Sequence, residues 1–227
     1  MKERSFSVSG EYTVGVQGWF SCALHVLKTR PNIVLRGVAV MLLFSLVIIG
    51  AGYLPGGDYL GLVVQLTVGL VLQAGWNLFC LKLVRDEDVS PIVIFEPFMR
   101  FGRAWLVSIL IALMTAAGFF LFIIPGFYVL ARFGMGVFAF VDRDLKVDEA
   151  LNFSSMITEG SRMQIVLFHL IIGSLSLIFL VPILIAPEGD LNTALLLAYQ
   201  FIMIPLAGTA TAAAYDSLVE TRAGEEI

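Results

Sequence analysis

Long apolar runs alternate with short polar stretches along the whole chain. The apolar runs occupy residues 33–53, 59–83, 104–124, 127–141, 163–186 and 191–218. A hydrocarbon core of about 30 Å takes about 20 residues of helix to cross, and all but the fourth run meet that length. Residues 104–141 read as one helix would extend about 57 Å, too far for a single crossing. Pro125-Gly126 lies inside that stretch and is expected to supply the break, since proline removes a helical donor and glycine accepts turn geometry. The pattern predicts an all-α polytopic membrane protein with six transmembrane helices, arranged as three hairpins.

The polar stretches have a period of their own. Val16, Trp19, Phe20, Ala23, Leu24 and Leu27 recur at helical spacing, with Gln17, Ser21, His25 and Lys28 opposite. This predicts an amphipathic helix, its tryptophan suited to the membrane interface. Ser90-Pro91 reads as an N-cap with proline at the first helical position. It opens an aromatic segment with Ile94, Phe95, Phe98 and Phe101, which Pro97 must interrupt or kink. From about Lys146 to Glu159, Val147, Ala150, Leu151, Ser154 and Thr158 share a face, and Gly160 then stops the helix. An interfacial segment followed by a hairpin therefore recurs three times, closed by the turns L-P-G-G-D, I-P-G and A-P-E-G-D. One domain results: an N-terminal interfacial segment (1–32), a bundle (33–218) and a short tail (219–227).

Charge fixes the expected orientation. Basic residues concentrate in cytoplasmic loops. With both ends inside a cytoplasmic membrane, every one of the 14 Lys and Arg residues except Arg132 falls on the inner side. A five-crossing alternative would put Arg143, Lys146 and Arg162 outside. The first 30 residues are charged and amphipathic and do not have the pattern of a cleavable signal. The apolar share is 59% and the charged share 14%, with a mean hydropathy of +0.92, so a soluble domain is excluded. A net charge of −4 leaves no basic stripe for nucleic acid. Cys22 and Cys80 have no metal or redox spacing, and no cofactor is expected.

Residues 124–162 contain I-I-P-G-F-Y-V-L-A-R-F and then F-V-D-R-D-L-K-V-D-E-A-L-N-F-S-S-M-I-T-E-G-S-R. This stretch resembles the six-helix membrane family that includes YciC-like proteins and the membrane domain of some glycerophosphoryl diester phosphodiesterases. The family pattern falls on Ile124, Pro125, Gly126, Arg132, Val141, Asp142, Glu149, Ala150, Leu151, Ser154, Thr158, Gly160 and Arg162. A basic pair and a tryptophan common in the family are replaced here by Asn152, Phe153 and Ser155. Most members of the family have no assigned activity, so the resemblance implies a fold more than a function.

Arg132 leads the candidates for chemistry, because a charge inside a span is costly and either paired or functional. The expected role is structural: bonding carbonyls freed near Pro125-Gly126, or pairing with an acid. A lipid headgroup or other anion is the alternative. Gln65, Gly69, Gln73 and Asn77, four residues apart, form a stripe expected to point into the bundle as interhelical glue, with a solute path as the alternative. Ala207, Gly208, Thr211 and Ala214 make a small-residue packing face. Asp142, Asp144, Asp148 and Glu149 read as a capping and salt-bridge loop, with a weak cation site as the alternative. His25 and His169 stand alone, and no nucleophile, base and orienting group can be assembled.

The chain is therefore expected to be a non-enzymatic scaffold or accessory protein. Its partners are expected to be membrane lipids and a protein partner or second copy, with a transporter or channel as the alternative. Orientation is directly testable. A cysteine placed beside Lys146 should react with a membrane-impermeant maleimide only from the cytoplasmic side; labelling from outside alone overturns the six-crossing topology.

Overall fold

The computed structural model describes residues 15–52, 57–185 and 190–225. Residues 1–14, 53–56, 186–189 and 226–227 fall outside that description. Lys2, Arg4 and most of the two expected turns L-P-G-G-D and A-P-E-G-D are therefore not described.

Among the described residues the chain is helical, without strands. The helices are α1 (Val16–Thr29), α2 (Pro31–Gly52), α3 (Gly57–Val64), α4 (Leu70–Val84), α5 (Phe101–Leu121), α6 (Ile123–Phe133), α7 (Gly136–Arg143), α8 (Val147–Ile157), α9 (Arg162–Ile185) and α10 (Asp190–Glu225). Six stretches are long and apolar enough to cross a membrane: Pro31–Ile48, Tyr59–Val84, Pro91–Leu121, Ile123–Arg143, Arg162–Pro182 and Leu195–Ala223. Each overlaps one of the six apolar runs, the third also taking in the 91–100 segment expected at the interface. Large apolar side chains such as Leu43, Val47, Phe120, Ile124 and Ile178 stay exposed on them, as a surface facing hydrocarbon requires.

α4 is the central post. Its residues Val71, Leu72, Trp76, Phe79, Cys80, Leu81 and Val84 are almost wholly enclosed, and it packs against α1, α5, α7, α10 and the 91–100 segment. Small residues allow these approaches. A side chain at Gly208 of α10 would collide with Trp76 and Cys80, so the predicted Ala207–Ala214 face is a packing face. Gly75 accepts the backbone of Ile94, whose carbonyl occupies the space a β-carbon would need.

The three segments expected at the interface each precede a hairpin, in which α2 packs on α3, α5 on α6 and α9 on α10. Each is covered by protein only in part: Trp19, Ile94 and Ile157 are buried, whereas Leu24, Phe95 and Met156 are exposed. Trp19 is 1% exposed. Its indole donates to Ser217 Oγ at 2.8 Å and meets Phe168 edge-on at 5.3 Å, while Leu24 stays exposed. Pro91–Arg100 winds as a 3-10 helix. Three residues per turn bring i and i+3 into line, and the Phe95, Phe98 and Phe101 rings follow one another at 6.0 and 6.1 Å. α8 starts where the Lys146 amide donates to Glu149 Oε2 at 2.9 Å. Beyond it, Gly160 takes the left-handed φ of +82°, as expected of a stop glycine.

Two expectations need correction. The α5–α6 break falls at Phe122, which is extended (φ −162°, ψ 158°), and Pro125-Gly126 belongs to the first turn of α6. Amides of a first turn have no intrahelical acceptor, so proline costs nothing there. Gly118 leaves room for the backbone of Gly126, and Gly126 in turn leaves room for the Phe119 ring. The second correction concerns the amide stripe. A π-helical turn at Gln65–Gly69 widens the ladder and resets the register, and Gln65 and Gln73 end up exposed. Trp105 donates to the Leu66 carbonyl inside this turn at 2.8 Å.

The Gly75–Ile94 contact sets a clear expectation. Gly75→Ala should lower stability by about 3 kcal/mol, the upper range for overpacking against a rigid neighbour. Gly173→Ala, with nothing within 4 Å, should be tolerated. Thermal unfolding in detergent compares the two, and equal midpoints would show that the 91–100 segment does not bear on α4.

Candidate functional site

α4 ends in a Schellman turn: the Glu87 amide donates to Lys82 O at 3.0 Å and the Asp86 amide to Leu83 O at 3.2 Å. Asp86 takes the left-handed φ of 58° that such a turn needs. This stop leaves Arg85 at the helix end, facing α7 and α10. Its Nη1 bonds Asp142 Oδ1, its Nη2 donates to Asp142 Oδ2 at 3.1 Å, and its Nε donates to Asp216 Oδ1 at 2.8 Å. Tyr215 Oη donates to Asp142 Oδ2 at 3.0 Å and its ring stacks on Phe138 at 5.4 Å. Arg143 Nε lies 3.9 Å from Asp142 Oδ2. Two arginines thus face two aspartates, and the node closes without net charge.

Burial by itself would lower the Arg85 pKa, but the hydrogen bonds and charges of Asp142 and Asp216 hold it above its ordinary value. Nearby, burial reinforced by the Asp216 charge pushes the Cys22 thiol up to about 12. A thiol so held is not a nucleophile at neutral pH.

A second cluster forms where α6 gives way to α7. The helix is interrupted between Phe133 and Gly136, and the Arg132 carbonyl accepts instead from Ser154 Oγ at 2.9 Å and Thr158 Oγ1 at 3.4 Å. Both hydroxyl residues are buried. The Arg132 side chain turns the other way: Nε donates to Ser155 Oγ at 2.9 Å, and the guanidinium lies 5.0 Å from the Phe133 ring centre. Arg162 reaches the same place from the start of α9. It donates from Nη1 to Tyr128 Oη at 3.2 Å and from Nη2 to the Ser155 carbonyl at 3.2 Å, with its guanidinium over the Tyr128 ring at 5.6 Å. Arg132 therefore bonds neither the carbonyls around Pro125-Gly126 nor, among the described residues, an acid. The freed carbonyl nearest to it is its own, and two hydroxyls from α8 supply the donors.

The exposed Gln73 and half-buried Asn77 line a cavity of about 390 Å³ with Ser108, Thr115 and several apolar residues. Gln73 Nε2 donates to Asn77 Oδ1 at 3.3 Å, so the amides bond along their own helix. The hydroxyls of Ser108 and Thr115 are buried without a partner. Gln65 lies elsewhere, folded onto Gly69.

The remaining candidates disperse. Asp144 pairs with Arg100 and Arg103, Glu149 caps α8, and Asp142 belongs to the node. His169 Nδ1 bonds the Ile165 carbonyl at 2.8 Å. No three His, Cys, Asp or Glu side chains converge among the described residues. Sequence reasoning missed Arg85 and Asp216 as partners. The available signal was an acid inside the apolar run 191–218.

Compared with known proteins, the chain matches no family model, no curated protein and no solved structure.

Removing Arg85 deprives two largely enclosed carboxylates of the cation they share. Arg85→Leu should therefore destabilise the bundle by about 3–5 kcal/mol. Arg85→Lys should recover part of that loss, since it keeps the charge but not the planar fork. Thermal unfolding of both variants decides this; an Arg85→Leu midpoint equal to wild type would rule out the node as a fastener.

Proposed function

We propose that the chain is a non-enzymatic scaffold or accessory protein of the cytoplasmic membrane, with both termini inside, working through contacts with lipids and with a protein partner or second copy. The observation that carries this reading is the Arg85–Asp142–Asp216 node. Arg85 and two largely enclosed aspartates bond one another across α4, α7 and α10, so they fasten helices and offer no group poised for proton transfer or nucleophilic attack. The exposed apolar side chains along the spans supply the contact surface. The resemblance to the YciC-like family fits the same reading.

A transporter is the second reading, favoured by the cavity between α4 and α5 with its polar residues Gln73, Asn77, Ser108 and Thr115. The two readings separate in one preparation. Reconstituted into vesicles, the wild-type chain should pass ions and small neutral solutes no faster than protein-free vesicles. In mild detergent it should retain phospholipid or a stoichiometric protein by native mass spectrometry. Solute flux that Gln73→Leu abolishes would overturn the scaffold reading and establish transport.

A further inference from the structure

We propose that Arg132 and Arg162, joined through Ser155 and flanked by Tyr128, form a binding site for the phosphate group of an anionic phospholipid. The inference rests on the lipid-contact reading above and specifies where that contact is made and with what chemistry.

The first support is charge. Arginine keeps its proton at any pH of interest, and every cation near a membrane needs acceptors. Arg30, Lys82, Arg85, Arg100, Arg103, Arg143 and Lys146 all have a carboxylate within 4.0 Å. Arg132 and Arg162, like Lys28 and Arg36, have none among the described residues. What sets the pair apart is that both are drawn to one serine, one by its hydroxyl and the other by its carbonyl. Their neutral partners orient the guanidinium planes and leave the positive charge in place.

The second support is donor count. A guanidinium carries five N–H donors. Arg132 commits its Nε to Ser155, and Arg162 commits one hydrogen bond from each terminal nitrogen. Terminal N–H groups of both remain for a tetrahedral oxyanion, the acceptor that arginine forks suit best. Arg162 also opens α9, so the unbonded amides of that first turn add to the positive field.

The surroundings select a lipid over a soluble phosphate. Arg162 stands at the edge of the span Arg162–Pro182, where a headgroup lies. Exposed apolar or aromatic residues flank the cluster, Tyr128 one turn before Arg132, Ile124 one turn earlier still, and Met163 next to Arg162, while the polar Glu159 and Gln164 are exposed beside Arg162. Acyl chains extend along such a surface from a headgroup held at its rim.

The test compares wild type with the double variant Arg132→Gln/Arg162→Gln, purified in detergent and offered phosphatidylglycerol or phosphatidylcholine. By native mass spectrometry, wild type should retain phosphatidylglycerol preferentially, and the double variant should retain about tenfold less, the loss of a charge-assisted pair. Arg132→Lys/Arg162→Lys should stay within about threefold of wild type, because charge is kept. If the glutamine variant fails to fold, as judged by helicity and lipid-free unfolding, the lysine variant and each single glutamine variant carry the same comparison. Equal phosphatidylglycerol retention by folded wild-type and glutamine proteins would overturn the site. Stabilisation of wild type by inorganic phosphate with no lipid retained would overturn the lipid assignment. Solute flux in vesicles would bear on the scaffold reading alone and leave the lipid comparison standing.

Discussion

Arg85 cannot shed its proton, and it sits at the end of the most enclosed helix of the molecule. That constraint organises the end of the bundle where α4, α7 and α10 meet. Only a quarter of its side chain is exposed, so water solvates the guanidinium poorly, and an uncompensated charge in such surroundings costs several kcal/mol. Asp142 and Asp216 answer it from helices 57 and 131 residues away in sequence. Tyr215 and Arg143 then complete the acceptor and charge balance of Asp142. Three elements are thereby pinned at one point. The apolar contacts of Trp76 and Phe79 could slide along α4, but the ionic node has a single register. Hydrophobic packing gathers these helices, and the node determines how they are aligned.

Backbone interruptions do comparable work higher in the structure. Two of the breaks release a carbonyl that hydrocarbon will not solvate, and both are met by a side chain from another element. The π turn at Gln65–Gly69 is met by Trp105, and the gap after Phe133 by Ser154 and Thr158. These are long-range contacts as well as local repairs. The first ties α5 to the π turn above α4, and the second brings α8 up against α6. The position of α8, and with it the meeting of Arg132 and Arg162 at Ser155, follows from a helix that stops one turn too soon.

What could be read from the chain was whatever depends on neighbours in sequence. The six spans follow from local hydropathy, the end of α8 from Gly160, and the start of the 91–100 segment from Ser90-Pro91. The small face of α10 was legible because Gly208 and its alanines have one obvious use. The location of the α5–α6 break was misread for a physical reason: proline is tolerated throughout a first turn, so it marks a break only to within about three residues. The π turn left no pattern to recognise, and it misaligned the amide stripe. The 3-10 winding did leave one, since Phe95, Phe98 and Phe101 repeat every third residue, but that spacing also fits an α-helical face. Arg85 counted only as one more inner-side charge, because nothing local distinguishes a loop arginine from the centre of a node.

The arginines of this chain therefore divide by the company they keep, and the division bears on function. A charge used to fasten helices has to be cancelled, because the bundle must close over it; Arg85 is cancelled by two acids. A charge used to recruit an anion has to be left in surplus, yet held still enough that binding does not cost the ordering of a long side chain. Neutral anchors meet both needs, fixing a guanidinium without consuming its charge. Ser155 and Tyr128 are anchors of that kind, and Asp142 and Asp216 are not. The same side chain, placed a few turns away on a neighbouring helix, thus serves cohesion in one place and, in the site we propose, contact with a lipid phosphate in the other.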